Sequence, residues 1–156
     1  MGLDMYLNAK RYVSKYFNKG DEVIARAIQE QFPELSCLSG RFENESPIKE
    51  VTIEAGYWRK ANAIHDWFVK NVQEGEDDCR AYYVSREQLK ELRDTCQRVL
   101  DFKHLANELL PTKSGFFFGS TDYGEWYYDD LKQTVEIIDT VLGLPDWWDF
   151  EYRASW

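Results

Sequence analysis

The sequence predicts an α+β fold, on three observations. Apolar residues alternate with polar ones in some stretches and recur at helical spacing in others, and the two patterns intermingle along the chain. The 156 residues suffice for one hydrophobic core, since a chain of this size buries roughly 70% of the surface its unfolded form exposes. Hydrophobic residues make up 44% and charged residues 30%, the balance of a globular protein. The expectation is a single domain over residues 1–156, with about five short, mostly antiparallel strands and about four helices packed on the sheet.

In "GLDMYLNA", Leu3, Met5, Leu7 and Ala9 alternate with Asp4, Tyr6 and Asn8, the period of a half-buried strand. "GDEVIARAIQEQF" spaces Val23, Ile24, Ala27, Ile28 and Phe32 at helical intervals, has acids in its first turn and stops at Pro33. The Ser, Gly, Asn and Pro of residues 34–47 predict a long connection. A second strand follows in "IKEVTIEA", where Val51 and Ile53 alternate with Thr52 and Glu54. From about Tyr57 to Gln73 the spacing predicts a helix. Its broad apolar stripe runs through Tyr57, Trp58, Ala61, Ile64, His65, Phe68 and Val72, and Arg59, Asn62, Asp66, Lys70 and Gln73 lie opposite. Asp66 and Lys70, four residues apart, read as part of a solvated face.

After the acidic turn "QEGEDD", "CRAYYVS" predicts a strand. Ser85 and Gln88 then form a capping box that opens a helix with Leu89, Leu92, Cys96, Val99 and Leu100 on one stripe. "ANELLP" either extends that helix or forms a separate turn. "GFFFG" predicts a short apolar strand, and "STD" the N-cap of a helix turning Tyr127, Leu131, Val135, Ile138 and Leu142 inward. Gly143 and Pro145 end it. Trp148, Phe150 and Tyr152 alternate with Asp149, Glu151 and Arg153 in a closing strand.

Three cysteines, Cys37, Cys79 and Cys96, show neither CxxC nor CxxH spacing, so a disulfide framework and a thiolate zinc site are both disfavoured. Asp4 and Asn8 interrupt any amino-terminal apolar run, and Tyr6 stands where N-myristoylation requires Ser or Thr. The expectation is a cytoplasmic protein with no membrane segment. The net charge of −9 is uneven: residues 122–156 carry nine acids against Lys132 and Arg153, a local balance of −7. Such a surface repels phosphate backbones, which disfavours nucleic acid and favours a protein partner with a basic surface.

His65 is the first candidate for chemistry, but no second group stands at a recognisable catalytic spacing, so helix packing is favoured and no catalytic residue is assigned. His65 and His104 share no metal-binding context, so neither a metal nor a cofactor is expected. "GFFFGSTDYGEW" resembles a strand, turn and helix start of the kind that binds phosphate, yet it lacks the P-loop lysine and the GxGxxG spacing. Tyr and Trp anchor protein interfaces, and they interleave with the carboxy-terminal acids. The candidate partner-binding residues are therefore Glu125, Trp126, Asp129, Trp147, Trp148, Asp149 and Glu151. The alternative reading is a binding protein or enzyme for a nucleotide-like small molecule, centred on Trp58, Arg59 and His65 with Ser120 and Thr121 of the "GFFFGST" turn.

Three blocks, "MGLDMYLNAKRYVS", "GYWRKANAIHDWFVKNVQEGEDDC" and "LLPTKSGFFFGSTDYGEWYYDDL", resemble a family of small uncharacterised proteins encoded by bacteriophages and prophages. The resemblance covers most of residues 1–15 and 54–142 and brings no activity, cofactor or site residue with it. It implies a context, the cytoplasm of a bacterial host, in which small acidic phage proteins act on host machinery by binding and blocking it. The expected function is a non-enzymatic accessory protein that inhibits a host or defence protein.

Overall fold

The computed structural model describes residues 2–14, 20–35 and 48–156. Its elements in chain order are β1 (Asp4–Tyr12), α1 (Asp21–Gln31), β2 (Glu50–Arg59), α2 (Asn62–Asn71), β3 (Tyr82–Val84), α3 (Arg86–Asp101), α4 (Ala106–Leu109), α5 (Glu125–Leu142) and β4 (Asp149–Ser155). The strands form one antiparallel sheet in the order β2-β1-β4-β3, and the class is α+β. Tyr82, Tyr83 and Val84 of β3 pair with Tyr152, Glu151 and Phe150 of β4. The chain divides into two compact units, residues 1–9 with 53–156 and residues 10–52, with the boundaries inside β1 and β2.

The alternation in β1 sends Leu3, Met5, Leu7 and Ala9 to a fully buried face, and Phe150, Tyr152 and Ala154 do the same in β4. Onto that face pack α2 and α5. Phe68 of α2 stacks on Tyr152 with ring centroids 3.8 Å apart, and Trp58 of β2 donates its indole N–H to Thr134 of α5 at 2.9 Å. The predicted capping box of α3 is present: Ser85 Oγ accepts from the Gln88 amide at 3.1 Å, and Gln88 Oε1 accepts from the Ser85 amide at 2.9 Å. Leu89, Leu92, Cys96 and Val99 are buried on its inner stripe, which leaves the Cys96 thiol desolvated and its pKa raised.

The residue pattern misled at several places. The stretch Tyr57–Arg59 belongs to β2 and not to a helix. Gly56 and Trp58 are buried while Tyr57 and Arg59 are exposed, which is period two, and α2 starts only at Asn62, after Lys60 with its φ of +61°. "GFFFG" is a turn: Gly115 and Gly119 bracket it, Phe118 alone goes inside, and Phe116 is 95% exposed. The sheet therefore has four strands, and "ANELLP" supplies a fifth, one-turn helix, α4. Ser120, Thr121 and Asp122 do not cap α5, whose N-cap is Gly124; the Ser120 hydroxyl instead donates to Asp122 at 2.8 Å.

Another concerns α1. It forms as expected, but Val23 and Phe32 are exposed, and only Asp21 and Ala25 are buried. Asp21 accepts from Arg11 and, at 2.8 Å, from the Ser14 amide. Residues 36–47 of the expected connection, Cys37 among them, lie outside the described residues.

Gly56 lets α5 approach the sheet: a Cβ there would stand 2.6 Å from Ile137 Cγ2. Gly56→Val should therefore overpack this contact and destabilise the protein by about 1–3 kcal/mol, read as a lowered urea midpoint. An unchanged midpoint would show that the α5 side chain gives way without cost.

Candidate functional site

The site is organised by α2, whose residues Asn62 to Val69 are all buried. A buried helix carries its polar side chains inside, where each needs partners. Asn62 finds three. Its Nδ2 donates to the carbonyls of Phe118 at 3.0 Å and Ser120 at 2.8 Å, and its Oδ1 accepts from the Lys113 amide at 2.9 Å. One side-chain amide thus clamps the loop that follows α4. The Tyr127 hydroxyl secures the start of this loop by donating to the Leu110 carbonyl at 2.8 Å, and Thr112 Oγ1 donates to the Thr121 carbonyl at 2.9 Å.

Between the clamped loop, the β2–α2 junction and α5 lies a cleft of about 240 Å³. It is lined by Arg59 and Lys60 of the β2–α2 junction, Ala63 and Ile64 of α2, Gly119 and Ser120 of the loop, and Trp126 and Asp130 of α5. Gly119 has a φ of +87°, and a Cβ on it would come within 3.2 Å of Lys60 Cβ, so glycine suits this position twice over. Burial, aided by neighbouring Asp129, pushes the Asp130 carboxyl up to about 6.

His65 lies inside, behind the cleft. Its Nε2 is 3.1 Å from Asp77 Oδ1 and its Nδ1 is 2.8 Å from the Tyr152 hydroxyl. An ionised carboxylate only accepts, so Nε2 carries the proton and Nδ1 accepts from Tyr152. Burial lowers the imidazole pKa, against the pull of Asp77 in the other direction, and burial also raises the Tyr152 phenol well above its ordinary value. Trp156 donates its indole N–H to the same Asp77 oxygen at 3.2 Å. The string Tyr–His–Asp has the outline of a nucleophile, base and orienting acid, but Tyr152 is completely buried and no substrate reaches its hydroxyl. These groups hold β4, α2 and the 73–78 turn together.

Of the residues expected around a small molecule, Arg59 and Ser120 meet at the cleft, Trp58 and His65 are buried, and Thr121 is exposed but does not line the cleft. Asp66, expected on a solvated face, is buried and paired with Lys70 at 2.5 Å and Lys113 at 3.4 Å. The expected partner-binding residues divide. Glu125, Trp126 and Asp129 are exposed on the first turns of α5, and Asp129 pairs with Lys132 at 2.8 Å. Trp147, Trp148, Asp149 and Glu151 follow the other end of that 18-residue helix, roughly 27 Å along its axis at 1.5 Å per residue. Trp147 and Asp149 are exposed there, and Trp148 and Glu151 are half-buried.

The sequence reading missed Lys60, Asn62, Asp130 and Tyr152 as site-forming residues, and it set Asp77 aside as a partner for His65 because the spacing between them matches no catalytic pattern. Asp130 was within reach, because it lies four residues after the candidate Trp126 and so shares its helix face; nothing in the pattern marked the Asn62 clamp. Among the described residues no group of three or more His, Cys, Asp or Glu is placed to hold a metal, and no helix is long and apolar enough to cross a membrane. Compared with known proteins, the chain matches no family model, no curated protein and no solved structure.

Tyr152→Phe removes the donor to His65 Nδ1, and leaving a buried acceptor unpaired should cost about 1–3 kcal/mol in urea unfolding. A variant as stable as wild type would show that the hydroxyl contributes nothing to the fold. Two titrations act with opposite sign. The lowered pKa of His65 means its contribution to stability is present above its unfolded pKa of 6.5 and is lost as pH falls through the folded value. The raised pKa of Asp130 means stability present below 3.8 and lost as pH rises through about 6. Asp130→Asn should accordingly melt higher than wild type at pH 7–8 and converge with it near pH 4, followed by thermal melts across that range. Curves that differ equally at both ends would contradict this.

Proposed function

We propose that this chain is a bacteriophage- or prophage-derived accessory protein that acts in the bacterial cytoplasm without catalysis, binding and inhibiting a host or defence protein that has a basic surface. The single observation that carries the reading is Trp126. It is 85% exposed on the first turn of α5, between the exposed acids Glu125 and Asp129. A large aromatic left in water amid like charge matches the anchor-and-rim arrangement of protein interfaces, in which buried aromatics supply dwell time and rim charges supply encounter rate. The resemblance of the three sequence blocks to phage proteins supports the biological setting. The separation along α5 favours the Trp126 end over the Trp147 end as the contact, because the first presents its aromatic and both acids together.

The test is capture from lysates of infected and uninfected bacteria on immobilised protein, followed by association kinetics with the enriched partner. Replacing Glu125 with Gln and Asp129 with Asn should leave the thermal midpoint near wild type and slow association. The difference should shrink as salt rises, since exposed charges are screened beyond about 8 Å at physiological ionic strength. Trp126→Ala should speed dissociation. A partner whose on-rate ignores the acids and whose off-rate ignores Trp126 would overturn the reading.

A further inference from the structure

The cleft beside Trp126 brings cations from the β2–α2 junction together with an aromatic ring and a carboxyl from α5, and among the described residues Trp126, Lys60 and the Asp130 carboxyl lack side-chain partners. Trp126 and Asp130 are one helical turn apart on α5 and so look the same way. Among the described residues no aromatic ring packs on Trp126, and no ion pair or side-chain hydrogen bond engages the Asp130 carboxyl. At the β2–α2 junction the Lys60 ammonium has no ion pair among the described residues, and Arg59 reaches only Asp4, at 4.0 Å. Ala63, Ile64 and Leu131 leave an apolar base between them.

We propose that this cleft binds a nucleoside monophosphate, with its phosphate at Lys60 and Arg59, its base against Trp126, and a base N–H or amino group donating to Asp130. A purely cationic ligand would meet Lys60 and Arg59, and an anion without a ring would meet Asp130 and leave Trp126 in water. A flat heteroaromatic that is anionic at one end and donates N–H at the other satisfies both the cations and the carboxyl. Asp130 as a carboxylate only accepts, so the base must bring the donor. The Trp126 ring offers the stacking face on which bases of any identity gain affinity. A volume of about 240 Å³ lies just under the usual range of small-molecule sites, the scale of one small ligand. Lys60 holds a φ of +61°, a strained conformation for a residue with a side chain, of the kind that collects at ligand clamps, and the bare backbone of Gly119 packs against it. A half-dry carboxyl on α5 is consistent with a group placed there for recognition.

Isothermal titration calorimetry on the full chain tests this with AMP, GMP, CMP and UMP, the matching nucleosides and inorganic phosphate as probes. At least one monophosphate should bind saturably in the micromolar to millimolar range, with its nucleoside about tenfold weaker or more. Trp126→Ala and Lys60→Gln should each weaken that nucleotide about tenfold. Asp130→Asn, which replaces an acceptor-only group by one that also donates, should change the ranking of the four bases. All three side chains are at the surface or half-buried, and unchanged thermal midpoints would verify the fold of Trp126→Ala and Lys60→Gln. No saturable binding of any monophosphate up to about 5 mM, or binding that all three variants leave unaltered, would overturn the proposal. Lys60→Gln lies outside the proposed partner contact, so loss of nucleotide with partner kinetics intact separates this site from that surface.

Discussion

The structure depends on one constraint: α2 is buried over eight consecutive residues, and three of them, Asn62, His65 and Asp66, are polar. A polar group taken out of water without a partner costs several kcal/mol, so each of these side chains dictates what must stand next to it. Asn62 requires two acceptors and a donor and receives them from the loop between α4 and α5. His65 requires a donor on one nitrogen and an acceptor on the other, and takes Tyr152 from β4 and Asp77 from the turn after α2. Asp66 draws in Lys70 and Lys113. The positions of a loop, a strand and a turn are thereby tied to a single helix.

The same constraint separates interior from site. On one side of α2 the His65 network is closed off by Phe68 stacked on Tyr152 and by Phe118 edge-on to the imidazole at 5.1 Å. On the other, the loop held by Asn62 and residues of α5 line the open cleft together. The residues with the greatest chemical promise in the sequence, a histidine and a tryptophan in one block, went to the sealed side. The exposed chemistry is carried by a lysine at a strained backbone position and by a carboxyl on the far helix. This division follows from packing: a side chain that completes a core is held too tightly to meet anything else.

The acidity of the last quarter of the chain also divides into parts. Asp139 of α5 bonds Arg93 of α3 at 2.9 Å, and Asp129 bonds Lys132. Arg86 spreads its guanidinium over the carbonyls of Leu142, Leu144 and Pro145, at 3.3, 3.0 and 2.8 Å, where α5 ends and its dipole favours a cation. A charge run that reads as one negative patch thus contains helix-to-helix pairing, local pairing and a few acids left for solvent or a partner. Arithmetic on the sequence gives the total but not this partition.

The sequence by itself determined the local elements whose signals are short-range. The alternation of Leu3, Met5 and Leu7 specifies β1, the Ser85–Gln88 box specifies where α3 begins, and the alternation of Phe150 and Tyr152 specifies β4, because each rests on neighbours within a few residues. It also placed His65 in the core correctly, since a histidine on an apolar stripe has few other places to go. The tertiary structure alone decided where β2 ends. Tyr57 and Trp58 suit a strand and a helix equally, and the choice was made by Gly56 admitting Ile137 and by Thr134 meeting the Trp58 indole. It decided that "GFFFG" turns, because Asn62, more than fifty residues earlier, draws the Phe118 and Ser120 carbonyls to one side-chain amide, and among the described residues the stretch keeps a single backbone bond toward the sheet, from the Leu3 amide to the Phe117 carbonyl at 3.2 Å. And it decided the cleft, whose walls come from segments some seventy residues apart: periodicity reports which way a side chain faces within its own element, and carries no information on which distant side chain it will face.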